Sequence, residues 1–214
     1  MSSDELIDFT LKHPCKVTLI GPSLCGKTRF IVDFLRNRNK LLSEKIDKVL
    51  YIYCDHQPIF TELAATDPNI KFTTSLHDLE TWDERPSIVV VDDFFDEFDR
   101  RENSRILTSY FVKHSHHRSV TLIVTLQAAF HPQLRVVHRN TDYSCIWDFP
   151  RDRSFVRILS SQICPGKTRF LQDAYERAVS IGDYLFLDMN PANKHTKYWA
   201  RSSIYPDECE VYAP

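Results

Sequence analysis

Two kinds of block alternate along this chain. Short apolar runs recur: Lys16–Ile20 (KVTLI), Lys48–Cys54 (KVLYIYC), Ser87–Val91 (SIVVV), Val120–Leu126 (VTLIVTL), Tyr143–Trp147 and Tyr184–Asp188 (YLFLD). Runs rich in β-branched residues, with little polar alternation, are what strands covered on both faces look like. Ile70–Thr74 predicts a minor strand and Tyr198–Ile204 a closing one. Between them lie stretches with helical spacing: Arg29–Leu42, where Ile31, Phe34 and Leu35 share a side, then the region of Phe60–Ala65, Glu102–His114, Ser154–Ile163 and Arg169–Ser180. Strands alternating with helices predict βαβ units. The expected fold is therefore α/β, a mainly parallel central sheet flanked by helices, with additional strands at the C-terminal edge. No Gly-, Ser- or Pro-rich linker divides the chain, so an N-terminal extension over 1–14 and one domain over 15–214 are expected.

Composition narrows the class. With 43 % hydrophobic and 26 % charged residues in 214, the balance is that of an ordinary globular protein. A chain of this length buries enough surface to fold without disulfides or a structural metal. Its six cysteines show no CxxC pair and no zinc-like spacing. With no signal peptide in view, they read as reduced thiols of a cytosolic or nuclear protein. No apolar run reaches the ~18 residues of a membrane helix, so no membrane partner is expected. A net charge of −2 excludes a globally basic nucleic-acid binder but leaves room for local basic patches.

Glycine changes the picture more. There are only four, Gly21, Gly26, Gly166 and Gly182, and two of them fall in one segment. Gly21-Pro22-Ser23-Leu24-Cys25-Gly26-Lys27-Thr28 matches GxxxxGK[ST] between a predicted strand and a predicted helix, the context that gives the motif its meaning. Bare glycine backbone lets N–H groups curl around phosphate oxygens, Lys27 reaches the β- and γ-phosphates, and the Thr28 hydroxyl ligates Mg²⁺. The helix that follows, with Arg29 in its first turn, points its positive end at the same anion. The pentapeptide GKTRF recurs at Gly166–Phe170, but Ser161 stands where the first glycine belongs and no strand precedes it. That copy reads as a helix start, leaving one nucleotide site per chain.

A bound Mg-ATP needs a carboxylate at the end of a neighbouring strand. Ile88-Val-Val-Val-Asp92-Asp93 supplies two. Successive strand residues face opposite ways, so Asp92 can serve the metal while Asp93 polarises the attacking water. Gln127 ends another apolar strand, and a polar side chain there needs a partner such as a γ-phosphate. His114, His116 and His117 cluster without a Cys or carboxylate at ligand spacing, so they are not expected to hold a metal.

The order of these motifs resembles the FtsK–HerA superfamily. The P-loop, the VVVDD strand, the histidine-rich turn, the strand ending in Gln127, Arg135-Val-Val-His-Arg-Asn140, Tyr143 and Phe149-Pro-Arg151-Asp152 carry the likeness, over roughly Lys16 to Pro206. It is most similar to the genome-packaging ATPases of double-stranded DNA viruses, of poxvirus and Polinton or virophage type. The resemblance implies an ATP-hydrolysing, Mg²⁺-dependent motor that moves double-stranded DNA into a capsid. It implies Lys27, Thr28 and Asp92 at the nucleotide and metal, Asp93 as catalytic carboxylate and Gln127 as sensor of the γ-phosphate. Arg135 matches an arginine finger reaching into a neighbouring subunit, with Arg151 a second candidate. A finger acting in trans implies a homo-oligomeric ring, hexameric or pentameric, with capsid or portal proteins as further partners. Such a motor works at capsid assembly sites in the host cytoplasm or nucleus, or with the virion. Candidate DNA contacts are Arg100, Arg101, Arg105, Lys113 and Arg118. The alternatives are another P-loop phosphotransferase, such as a nucleoside or polynucleotide kinase, and a nucleotide-switched interaction protein.

Overall fold

The computed structural model describes residues 9–181, 184–192, 199–205, 207 and 209–213, with the side chains of His114 and His116 set aside. Nine strands among these residues form one sheet in the order β3-β2-β4-β5-β1-β6-β7-β8-β9. Strands β1 (Lys16–Ile20), β2 (Lys48–Tyr53), β3 (Ile70–Thr73), β4 (Ser87–Asp92), β5 (Val120–Leu126) and β6 (Tyr143–Trp147) pair in parallel. At the far edge β7 (Tyr184–Asp188), β8 (Ala200–Arg201) and β9 (Val211–Tyr212) run antiparallel. The expected mainly parallel sheet with extra C-terminal strands is the architecture found.

The apolar runs explain the layering. Residues of β1, β4 and β5 are buried along their whole lengths, and alternate ones enter two separate cores. Val17, Leu19, Ile88, Val90 and Ile123 face one side, where α1 (Lys27–Leu41) brings Ile31, Phe34 and Leu35 and α2 (Pro58–Thr66) brings Phe60 and Leu63. Ile20, Val89, Val91, Leu122 and Val124 face the other. That side is covered by α3 (Asp78–Thr81), α4 (Arg101–Ser109), α6 (Arg135–Arg139), α7 (Ser154–Ile163) and α8 (Thr168–Ile181). A helix–sheet–helix sandwich lets every strand side chain find apolar cover, which is why the runs need not alternate.

Several elements depart from their expected bounds. Helix α1 starts at Lys27 rather than Arg29, so the phosphate loop runs straight into it. The single helix expected over Glu102–His114 is α4, then a π-helical turn over Tyr110–His114, then α5 (Ser115–His117). The wider turn accompanies burial of both Tyr110 and Phe111, adjacent positions that a regular helix turns away from each other. Of the strand expected over Tyr198–Ile204, Ala200–Arg201 pairs, and Tyr198 lies outside the described residues. The short α3, α6 and β9 were not expected; each is too brief to show a period. The second GKTRF opens α8, with Gly166 at φ 90° in the turn between α7 and α8.

The pairing register decides where the chemistry lies. Ile20 sits opposite Leu126 and Ile146, Val91 opposite Val124, and Tyr53 opposite Asp92. The carboxyl ends of β1, β4, β5 and β6 therefore converge, carrying Gly21, Asp92–Asp93, Gln127 and Trp147.

Candidate nucleotide site

The loop after β1 is tied to the sheet where Gly21 N–H donates to the Leu126 carbonyl at 3.0 Å. Its path is dense. A β-carbon on Gly21 would lie 2.5 Å from Cys25 Sγ and 2.8 Å from Trp147 Cβ, so no side chain fits there. Gly26, the residue before α1, has φ 107°, a left-handed conformation that glycine adopts readily. Leu24 also has a positive φ, 66°, and its side chain is fully exposed. Trp147 supports the loop from beneath, edge-on to Phe30 of α1 and tilted against Tyr184 of β7.

Helix α1 has no acidic residue in its first turn and no side-chain cap. Its first N–H groups and dipole therefore favour an exogenous anion. Lys27 is buried, and its ammonium donates to the Gly21 and Pro22 carbonyls, both at 2.7 Å. The Cys25 thiol lies 3.8 Å from the same ammonium, and burial raises its pKa. Ser23, Leu24, Gly26, Lys27, Thr28 and Arg29 line a cavity of about 280 Å³ together with Asp92, Asp93 and Gln57.

Across that cavity, Asp92 at the end of β4 is 2 % exposed. Its Oδ2 accepts from the Thr28 hydroxyl at 2.9 Å and from the Tyr51 hydroxyl at 2.8 Å. Burial raises its pKa, while hydrogen bonds from Tyr51, Thr28 and Thr125 pull the other way. A buried carboxylate beside a threonine hydroxyl is an all-oxygen donor set, which suits a hard cation such as Mg²⁺. Among the described residues no group of three or more His, Cys, Asp and Glu side chains forms a metal cage. Mg²⁺ on a nucleotide needs none, since phosphate and water complete its shell.

Asp93 points elsewhere. It leaves the strand at φ 60°, its N–H held by Thr125 Oγ1 at 2.8 Å. Its exposed carboxylate accepts from Gln127 Nε2 at 3.0 Å. Because β5 lies between β1 and β4, Gln127 emerges between the phosphate loop and the carboxylates.

The remaining residues singled out in the sequence lie apart. Arg135 is exposed at the start of α6 and lines a different cavity, of about 700 Å³, with His138, Arg139 and Ile158 among its walls. Neither it nor the exposed Arg151 makes an ion pair among the described residues. Of the candidate DNA contacts, Arg100 pairs with Glu97 at 2.6 Å and Arg118 donates to the Glu80 and Trp82 carbonyls. Arg101, Arg105 and Lys113 are exposed. His117 is exposed too, and the side chains of His114 and His116 lie outside those described. Sequence reasoning missed Tyr51, Gln57, Thr125 and Trp147. Tyr51 and Thr125 sit inside apolar strands, where a hydroxyl needing a partner was the available signal.

No family model matches the sequence, and no curated protein matches it. Solved structures do resemble the fold. The genome-packaging NTPase B204 of Sulfolobus turreted icosahedral virus 2, in complex with ATP-γ-S, matches with a TM-score of 0.56 at 12 % identity, over 94 % of this chain and 97 % of that one. B204 of Sulfolobus turreted icosahedral virus, described as the DNA-packaging ATPase, matches with a TM-score of 0.55 at 14 % identity, again over 94 % and 97 %. The cytoplasmic domain of the type VII secretion ATPase EccC from Thermomonospora curvata matches with a TM-score of 0.56 at 11 % identity, over 81 % of this chain and 24 % of that one. Over nearly its whole length, the chain shares the P-loop ATPase fold of the B204 genome-packaging NTPases.

Proposed function

We propose that this chain hydrolyses ATP to drive double-stranded DNA into a viral capsid, as the ATPase domain, residues 15–214, of a homo-oligomeric ring of six or five subunits. The hydrogen bond from Gln127 to Asp93, at 3.0 Å, is the observation that carries hydrolysis. It places an exposed carboxylate and an amide side by side at the edge of the phosphate cavity, as activation and sensing of an attacking water require. That B204, a genome-packaging NTPase, has the same fold supports DNA as the cargo.

In this reading the Gly21–Arg29 loop wraps the phosphates with backbone N–H groups. Lys27 exchanges the Gly21 and Pro22 carbonyls for phosphate oxygens. Thr28 and Asp92 would hold Mg²⁺, which supplies charge neutralisation on the β- and γ-oxygens. Asp93 takes the proton of the attacking water, and Gln127 fixes Asp93 and contacts the γ-phosphate. Arg135 reaches a neighbouring subunit's site to stabilise charge on the transferring group, with Arg151 as the other candidate. Capsid or portal proteins dock the ring at the assembly site, in the host cytoplasm or nucleus or on the virion.

The test is an ATPase assay with and without double-stranded DNA. Phosphate release that rises with DNA is expected. Turnover indifferent to DNA, with a nucleoside or polynucleotide phosphorylated instead, would establish the kinase alternative.

A further inference from the structure

Asp92 Oδ2 accepts two hydroxyls, and only one belongs to the phosphate-loop motif. The other comes from Tyr51, the fourth of the six residues of β2, the neighbour of β4. The Tyr51 side chain is fully buried. Its ring is tilted against Phe60 of α2 at 4.9 Å and stacked on Phe72 of β3 at 5.3 Å between centroids. Packing against these two rings, in a fully buried site, leaves the Tyr51 ring little rotameric freedom, so its hydroxyl is delivered to one place.

A threonine hydroxyl can ligate a cation through its oxygen while still donating its proton to a carboxylate. Thr28 would then bear on the metal, and Asp92 would hold Thr28 and the metal's waters. The bond from Tyr51, together with one from the Thr125 hydroxyl, fixes the direction of Asp92 itself. We infer that Tyr51 is a positioning residue for the Mg²⁺ site, holding the Asp92 carboxylate in the rotamer that receives Thr28 and a metal-bound water. The inference rests on the reading of Asp92 as the metal-side carboxylate. Asp92 stands one step behind the metal's ligands, where a lost partner commonly costs about 10- to 100-fold in metal affinity; Tyr51 acts through it, at the low end of that range.

The same contacts give Tyr51 a second consequence. Helix α2 begins just after Gln57, which lines the nucleotide cavity, and carries Phe60 onto the Tyr51 ring one turn later. The phosphate pocket and the carboxylate's anchor are thus parts of one packed unit.

The experiment measures binding of a fluorescent ATP analogue to the full chain, titrated with Mg²⁺ and repeated in EDTA, alongside a thermal melt. Tyr51→Phe keeps the stacked ring and removes only the hydroxyl. Half-saturation by Mg²⁺ is expected to rise about tenfold, while affinity in EDTA stays within about twofold of the unaltered protein. Phe72→Leu loosens the stack but spares the hydroxyl; it should lower the melting temperature with a much smaller change in Mg²⁺ dependence. An unchanged Mg²⁺ half-saturation in Tyr51→Phe overturns the inference, as does an equal shift in both variants. Asp92→Asn serves as the separate control. If it leaves Mg²⁺ dependence intact, the reading of Asp92 fails, whatever Tyr51→Phe does.

Discussion

Burial sets Asp92 and His138 against solvent in opposite directions. The Asp92 carboxyl has its pKa raised mainly by desolvation, so the folded chain holds that proton more readily than the unfolded one. Stability linked to Asp92 is then greatest at low pH and declines as pH rises from its ordinary value through the raised one. Asp92→Asn is expected to raise the melting temperature of the ligand-free protein at neutral pH, by roughly 2–4 °C for each kcal/mol relieved, with the gain shrinking in acid and turnover lost. Calorimetry across pH checks both signs. The His138 imidazole behaves inversely: burial, then the nearby His131, lowers its pKa to about 4, and its Nε2 is buried without a hydrogen-bond partner among the described residues. The folded state resists protonation, so stability falls as pH drops from about 6.5 towards 4. His138→Leu should flatten that slope by on the order of 2 kcal/mol, visible in urea melts at pH 7 and pH 5. Lys27→Ala, which removes the ammonium proposed to meet the phosphates, is expected to abolish ATP turnover in a phosphate-release assay while the far-ultraviolet circular dichroism stays unchanged.

The loop between β1 and α1 shows how an element depends on distant chain. Gly21→Ala would press a methyl group into Cys25 Sγ and Trp147 Cβ, and overpacking of this kind costs about 1–3 kcal/mol. Because one obstacle is the side chain of Cys25, inside the loop itself, nucleotide affinity should fall along with the melting temperature; a titration with an ATP analogue measures it. Much of this element was legible beforehand, since the motif, the preceding apolar run and the helix after it all lie in one stretch of sequence. The Trp147 support was not, because that contact joins strands brought together only by tertiary pairing. Likewise the π-helical turn after α4 leaves the apolar spacing on either side unchanged, so the sequence reads as one helix there. Tyr51 was hidden for a related reason: inside KVLYIY it looks like one more core aromatic, and only its neighbour across β4 shows that the hydroxyl has a use.

For the assembled molecule, the proposed finger makes a quantitative expectation. If Arg135 completes a neighbour's site, adding Arg135→Ala subunits to unaltered ones should depress ATPase activity more steeply than their fraction; a proportional loss would return Arg135 to its own subunit's surface. The sequence pattern showed which strands are covered on both faces, but hydrophobicity carries no record of neighbour order, so the seat of β5 between β1 and β4 became visible only in the folded sheet. That order bears on synthesis. The phosphate-loop strand is flanked on one side by β5 and on the other by β6, and the residue beneath the loop is the last of β6. A chain emerging from the ribosome up to the end of β5 would carry the entire proposed phosphate-binding motif and both carboxylates, yet still lack one partner of β1 and the floor of its loop. Nucleotide capture should therefore switch on late in translation, once Trp147 has been released, so that half-made chains do not tie up ATP.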